Sequence, residues 1–90
     1  MSFISDTDTP IVAPKARTKW DNVRQQYLLL FPEGLLVLNK TAHEIINMCD
    51  GKHKVDAIVR SLSDKYKTQV DVDVREMLSR LVEKRLLLLK

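Results

Sequence analysis

The side chains able to do covalent or metal chemistry in this chain reduce to one cysteine, Cys49, two histidines, His43 and His53, and scattered carboxylates. A thiol nucleophile needs an imidazole within hydrogen-bond reach, and a structural zinc needs four nitrogen or sulfur ligands. Cys49 and the two histidines fall one ligand short of a zinc set, and a single cysteine forms no internal disulfide. His43 stands six positions before Cys49, which on a helix is about 120° round the axis, so no dyad forms. Cys49 itself falls on an apolar stripe, the setting of a buried, inert thiol. Both glycines, Gly34 and Gly51, serve turns, so a phosphate-cradling loop is excluded. The carboxylates sit at caps and surface positions. The chain is therefore expected not to be an enzyme and to need neither metal nor cofactor, which leaves binding as its function.

The strongest binding signal is YLLLFPEGLLVLN, Tyr27 to Asn39. Pro32 fixes φ at the second position of a turn and Gly34 can take the left-handed conformation that closes it. Phe31-Pro32-Glu33-Gly34 is thus expected to form a three-residue hairpin loop with a glycine bulge, joining strands Tyr27 to Phe31 and Leu35 to Asn39. A half-buried strand alternates apolar and polar side chains. Here Leu28, Leu29 and Leu30, then Leu35, Leu36, Val37 and Leu38, fill both faces. Helices can cover one face; the other is covered by more of the chain, by a second copy in a homodimer, or by a partner. A further strand is expected over Ala16 to Val23, with Trp20 turned into the core.

From Thr41 the period becomes helical, with Ala42, Ile45, Ile46 and Cys49 on one stripe. Thr41 and Glu44 have capping-box spacing, and Gly51 is suited to end the helix. A second helix carries Val55, Ile58, Val59, Leu62 and Tyr66 on one side, with Lys54 a poor cap. Asp73 and Glu76 are expected to open a third helix running to about Lys84. Its apolar residues Val74, Met77, Leu78, Leu81 and Val82 span about 140° at about 100° per residue, wider than one packing partner requires. The terminal LLLLK is expected to pack as an extended piece. Residues 1–14 are expected to be a disordered N-terminal tail, leaving one domain over 15–90.

With 44% apolar and 30% charged residues the 90-residue composition is that of a soluble globular domain. The N-terminus lacks a signal-peptide profile and no run is long enough to span a membrane, so a cytoplasmic location is expected. The charge of +3 is concentrated in residues 51–90, where ten Lys/Arg face six Asp/Glu. Three strands, three helices and a wing-like hairpin would suit a winged-helix DNA-binding regulator. Asp71, Asp73 and Glu76 at the start of the third helix, the element that would enter the major groove, would instead be repelled by phosphates. An edge strand beside an apolar cleft suits an extended peptide.

Residues 15–51, KARTKWDNVRQQYLLLFPEGLLVLNKTAHEIINMCDG, resemble the PqqD family, the peptide chaperones of pyrroloquinoline quinone biosynthesis. The Asp21/Arg24 pair, the LLLFPEG turn, LN followed by TAHEI, and MCDG carry the resemblance, with KVDAIVRSL and DVREMLSRLVEKRLL similar to the later helices. Lys54 and Arg85 depart from it, standing where Thr and Gly are usual. The resemblance implies an α+β, winged helix-turn-helix-like fold in which a three-stranded antiparallel sheet precedes three helices. It also implies that a precursor peptide, PqqA, adds as a strand beside Leu35 to Leu38 and rests on the third helix. The domain would then present the peptide to a radical S-adenosylmethionine enzyme, PqqE, which cross-links a Glu and a Tyr. From helical angles the contributing face of the third helix is expected to be Arg75, Leu78, Ser79 and Val82. The alternatives are the DNA-binding regulator and a recognition domain for another ribosomally made, modified peptide.

Overall fold

A computed structural model describes residues 4–90. The elements are β1 (Pro10–Val12), β2 (Arg17–Asp21), β3 (Gln26–Phe31), β4 (Gly34–Leu38), α1 (Lys40–Asn47), α2 (Val55–Tyr66), α3 (Asp71–Glu83) and β5 (Leu87–Leu89). The expected α+β architecture is present: an antiparallel sheet ordered β2-β3-β4, then three helices. A small second sheet of β1 and β5 is added to it. No helix among the described residues is long and apolar enough to cross a membrane.

The β3–β4 loop is tighter than expected. Phe31 pairs directly with Gly34, so Pro32 and Glu33 alone make the turn and no residue is left over for a bulge. Gly34 holds φ +157°, which the missing Cβ makes accessible. The register pairs Tyr27 with Leu38, Leu28 with Val37, Leu29 with Leu36 and Leu30 with Leu35. Alternation then puts Tyr27, Leu29, Leu36 and Leu38 on one face and Leu28, Leu30, Leu35 and Val37 on the other. Leu29 and Leu38 join Ile45, Ile46, Ile58, Leu62, Val74, Leu78 and Leu81 in the core cluster, whereas of the second set only Leu28 is buried, outside that cluster, and Leu30, Leu35 and Val37 are half-buried to exposed.

Trp20 is not inside the core. It is 43% exposed, lying edge-on to Tyr27 with ring centroids 4.9 Å apart. Its indole N–H donates to Asn22 Oδ1 at 3.0 Å, and this partner in the exposed β2–β3 turn holds the ring at the surface. Helix α1 is capped by Asn39, whose Oδ1 accepts from the Ala42 N–H at 2.7 Å, so the Thr41–Glu44 box does not form. It ends at Asn47 with Met48 as C-cap, short of Gly51, whose φ of +79° serves the turn beyond. Helix α3 starts at Asp71, two residues before the expected Asp73. The buried Val70 anchors that start, and Asp71 and Asp73 complement the helix dipole.

The N-terminal segment departs most from expectation. Residues 1–3 lie outside the described residues, but residues 4–14 are folded into the domain. Pro10–Val12 pair with Leu87–Leu89, and Ile4 and Ala13 are buried. The cause is visible at α2, whose Lys54 cap makes no side-chain bond. The Asp8 carbonyl accepts from Val55 N–H at 2.9 Å and the Asp6 carbonyl from Asp56 N–H at 3.2 Å. A helix N-terminus leaves four N–H groups without intrahelical partners; here distant backbone supplies two acceptors that the local sequence lacks.

Candidate functional site

Strand β4 is last in its sheet, so its outer edge is unpaired among the described residues. In an antiparallel ladder a residue's N–H and C=O point to the same side, and the side alternates along the strand. The pair closing a two-residue hairpin is hydrogen-bonded, which here is Phe31 with Gly34. Counting from it, Leu36 and Leu38 bond inward to Leu29 and Tyr27, while Leu35 and Val37 turn their N–H and C=O groups to the open edge.

Beside this edge runs a groove of about 500 Å³. Leu36, Val37, Leu38 and Asn39 form one wall, Thr41, Ala42 and Ile45 of α1 the end, and Asp73, Glu76, Met77, Arg80 and Leu81 of α3 the other wall. Leu36, Leu38, Ala42, Ile45, Met77 and Leu81 supply its apolar lining, with Asn39, Thr41, Asp73, Glu76 and Arg80 adding a comparable polar share. Asp73 and Glu76 place negative charge toward the start of α3, and Arg80 places positive charge about one turn further on.

Of the residues expected from sequence, Leu36, Val37 and Leu38 line the groove, and Leu35 contributes at the strand edge through its backbone. Arg75, Leu78, Ser79 and Val82 do not line it. Leu78 is fully buried; truncating such a core leucine costs about 2–5 kcal/mol, the behaviour of a packing residue. Around the axis of α3, Arg75, Val82 and Ser79 lie about 40–100° to one side of Leu78, and Leu81, Met77 and Arg80 lie on the other. The width of the apolar stripe is as expected, but the groove opens on its opposite flank. The Arg75 flank is taken by the N-terminal segment, the guanidinium pairing with Asp71 and Asp6.

Two contacts hold the α1 wall. Glu44 accepts from Lys65 Nζ at 2.7 Å and from the Tyr66 hydroxyl at 2.6 Å, clamping α1 to α2. The Lys65 ammonium, then the Tyr66 hydroxyl, hold the Glu44 carboxyl below its ordinary range. On the sheet side, His43 stacks on Tyr27 with centroids 3.6 Å apart.

The sheet and the helix order have their counterpart among known proteins. The family model for Coenzyme PQQ synthesis protein D (PqqD) matches residues 26–87, from the first residue of β3 into β5. The chain belongs to the PqqD family. Among PqqD relatives, the PqqA binding protein of Methylococcus capsulatus (strain Bath) is 43% identical over 79 residues, covering 87% of this chain and 84% of the relative. That of Rhodopseudomonas palustris (strain CGA009) is 37% identical over 84 residues, covering 90% and 82%. In structure the chain is similar to the PqqD truncation of Methylobacterium extorquens PqqCD, solved by NMR as a stand-alone recognition element for ribosomally synthesised, modified peptides. There the TM-score is 0.81 at 29% identity, covering 97% of this chain and 96% of that one. PqqD from Xanthomonas campestris aligns with a TM-score of 0.56 at 28% identity, covering 92% and 96%.

Both departures from the PqqD pattern have a structural counterpart. Lys54 is relieved by the Asp6 and Asp8 carbonyls. Arg85 holds φ +62°, so the backbone keeps a left-handed conformation suited to glycine while carrying a side chain. Cys49 is 3% exposed with Sγ 3.2 Å from the Ile45 carbonyl oxygen; burial, aided by the Asp50 carboxylate, pushes the thiol up to about 12. The groove residues that the sequence reading missed are Asp73, Glu76, Arg80, Thr41 and the Met77–Leu81 pair. Met77 and Leu81 did carry a signal, as members of the overly wide stripe.

Proposed function

We propose that this protein is a non-catalytic chaperone of pyrroloquinoline quinone biosynthesis that binds a PqqA-type precursor peptide as a fourth strand on β4 and presents it to a PqqE-type radical S-adenosylmethionine enzyme. The observation that carries this reading is the open edge at Leu35 and Val37 lying against a partly apolar groove. The relatives named PqqA binding protein support the peptide's identity.

Leu35 and Val37 each offer one N–H and one C=O to the peptide. At about 1 kcal/mol net per bond, the four bonds roughly equal the about 2–5 kcal/mol needed to order a flexible peptide. Affinity and selectivity therefore come from peptide side chains entering the groove among Leu36, Leu38, Met77 and Leu81, with Arg80 available to an acidic side chain. Calorimetric titration with a synthetic PqqA-type peptide and, separately, a duplex oligonucleotide tests the reading. Saturable peptide binding without DNA binding is expected; salt-sensitive DNA binding without peptide binding would overturn it in favour of a regulator.

A further inference from the structure

The face of the β2-β3-β4 sheet turned away from the helices carries two cross-strand rows of the same composition. One is Arg17–Leu30–Leu35 and the other Lys19–Leu28–Val37. Leu35 and Val37 are 45% and 47% exposed and Leu30 is half-buried, whereas Leu28 between Lys19 and Val37 is buried. The accessible part of the face is thus an aliphatic strip of Leu35, Val37 and part of Leu30, with the exposed cations Arg17 and Lys19 along its β2 side. The carboxylates nearest in sequence are engaged, Asp21 with Arg24 at 2.6 Å and Glu33 with Lys15 at 3.8 Å. Arg17 and Lys19 meet no carboxylate among the described residues.

From this arrangement we infer that the outer sheet face docks a protein surface with an aliphatic centre and a carboxylate rim. Resting on the function proposed above, that surface belongs to the radical enzyme. Charge complementarity decides against a second copy as occupant. Two such faces packed together would set Arg17 and Lys19 against cations or leucines, the nearby carboxylates Asp21 and Glu33 already having Arg24 and Lys15 as partners, and unpaired charge at an interface is costly.

The peptide site and the docking face are continuous. A peptide strand hydrogen-bonded to Leu35 and Val37 extends the sheet, and alternate peptide side chains point to opposite faces. One set enters the α3 groove. The other stands on the outer face beside Leu35 and Val37 and prolongs both rows. The enzyme therefore contacts chaperone and peptide together, and the two binding events favour each other.

The test measures binding of the purified pathway radical enzyme to wild-type protein and to the Arg17→Glu/Lys19→Glu variant by biolayer interferometry, with and without saturating synthetic PqqA-type peptide. Peptide titrations of both proteins run in parallel. Charge reversal is expected to weaken enzyme binding at least about ten-fold with peptide affinity unchanged, as expected for desolvated interface charges. Peptide is expected to tighten enzyme binding to the wild type, and the Arg17→Lys/Lys19→Arg exchange to retain it. Enzyme binding that is absent in the wild type, or indifferent to the reversal, overturns the docking face. A wild-type dimer that the reversal splits in sedimentation also overturns it, by making a second copy the occupant. Wild-type protein that binds no peptide instead removes the functional reading beneath it.

Discussion

Leu36 and Val37 are consecutive in β4 and turn their backbones to opposite sides. Leu36 lies opposite Leu29 and bonds to it, whereas Val37, opposite Leu28, turns its N–H and C=O away from the hairpin to the open edge. Their side chains are also divided, Leu36 toward the helices and Val37 onto the outer face.

Proline at the two positions should therefore have opposite effects, because it removes a backbone N–H and is tolerated where that N–H faces outward. Val37→Pro is expected to keep the wild-type circular dichroism spectrum and lose peptide binding. Leu36→Pro breaks a ladder bond and is expected to unfold the domain. A folded Val37→Pro variant with undiminished peptide affinity would move the peptide elsewhere.

The two arginines on α3 should separate in the same way. Arg80→Glu is expected to weaken binding of a peptide bearing an acidic side chain by about 1 kcal/mol, roughly five-fold, as befits an exposed pair. Arg75→Ala is expected to leave that affinity unchanged. Loss of its pairs to Asp6 and Asp71 should lower Tm by only a few degrees, about 1 kcal/mol or less. Calorimetric titration and thermal melts of both variants check this, and an affinity loss confined to Arg75→Ala would restore the other flank of α3 as the site.

Deleting residues 1–9 removes the carbonyls that cap α2 and the buried Ile4. A cost on the order of 2–4 kcal/mol is expected from lost hydrogen bonds and apolar burial, lowering Tm by about 10 °C or more. Amide exchange at Val55 and Asp56 should accelerate most. Unchanged melting and exchange would mean that the segment is dispensable.

The Glu44 clamp should leave a signature in pH. Its carboxyl is held below 4.5 by Lys65 and then Tyr66, so its contribution is complete above that value and is lost as pH falls through the lower folded value. Lys65 is raised above 10.5, chiefly by Glu44, so its share is complete below that and is lost as pH rises through the folded value. Glu44→Gln should lower the urea midpoint near neutral pH, with the difference from wild type shrinking at both extremes. A pH-independent difference would assign Glu44 a role in packing alone.

Much of the site was legible where it depends on local repetition. The leucine-rich hairpin, the stripe of α1 and the excess width of the α3 stripe follow from side-chain alternation and helical period, which are properties of consecutive residues. The flank of α3 that opens onto the groove was not legible. Periodicity places residues relative to one another around a helix axis and carries nothing about the direction in which a neighbouring sheet lies. Residues 4–14 were misread for a related reason. Their acceptors pair with N–H groups of Val55 and Asp56, and no local pattern connects positions so far apart.

Local sequence was enough for the β3–β4 hairpin, the three helices, the apolar character of both hairpin faces and the family. Backbone preference, turn chemistry and hydrophobic period act over a few residues, and family motifs are written in that same local order. Tertiary packing was needed to show that Val37 and Leu35 turn their N–H and C=O groups to the open edge, that Met77, Leu81 and Arg80 rather than Arg75 and Val82 line the groove beside it, and that Asp6 and Asp8 cap α2. Each of these depends on register or on the packing of distant segments, where a shift of one residue exchanges the faces of a strand and a rotation of about 100° exchanges the flanks of a helix.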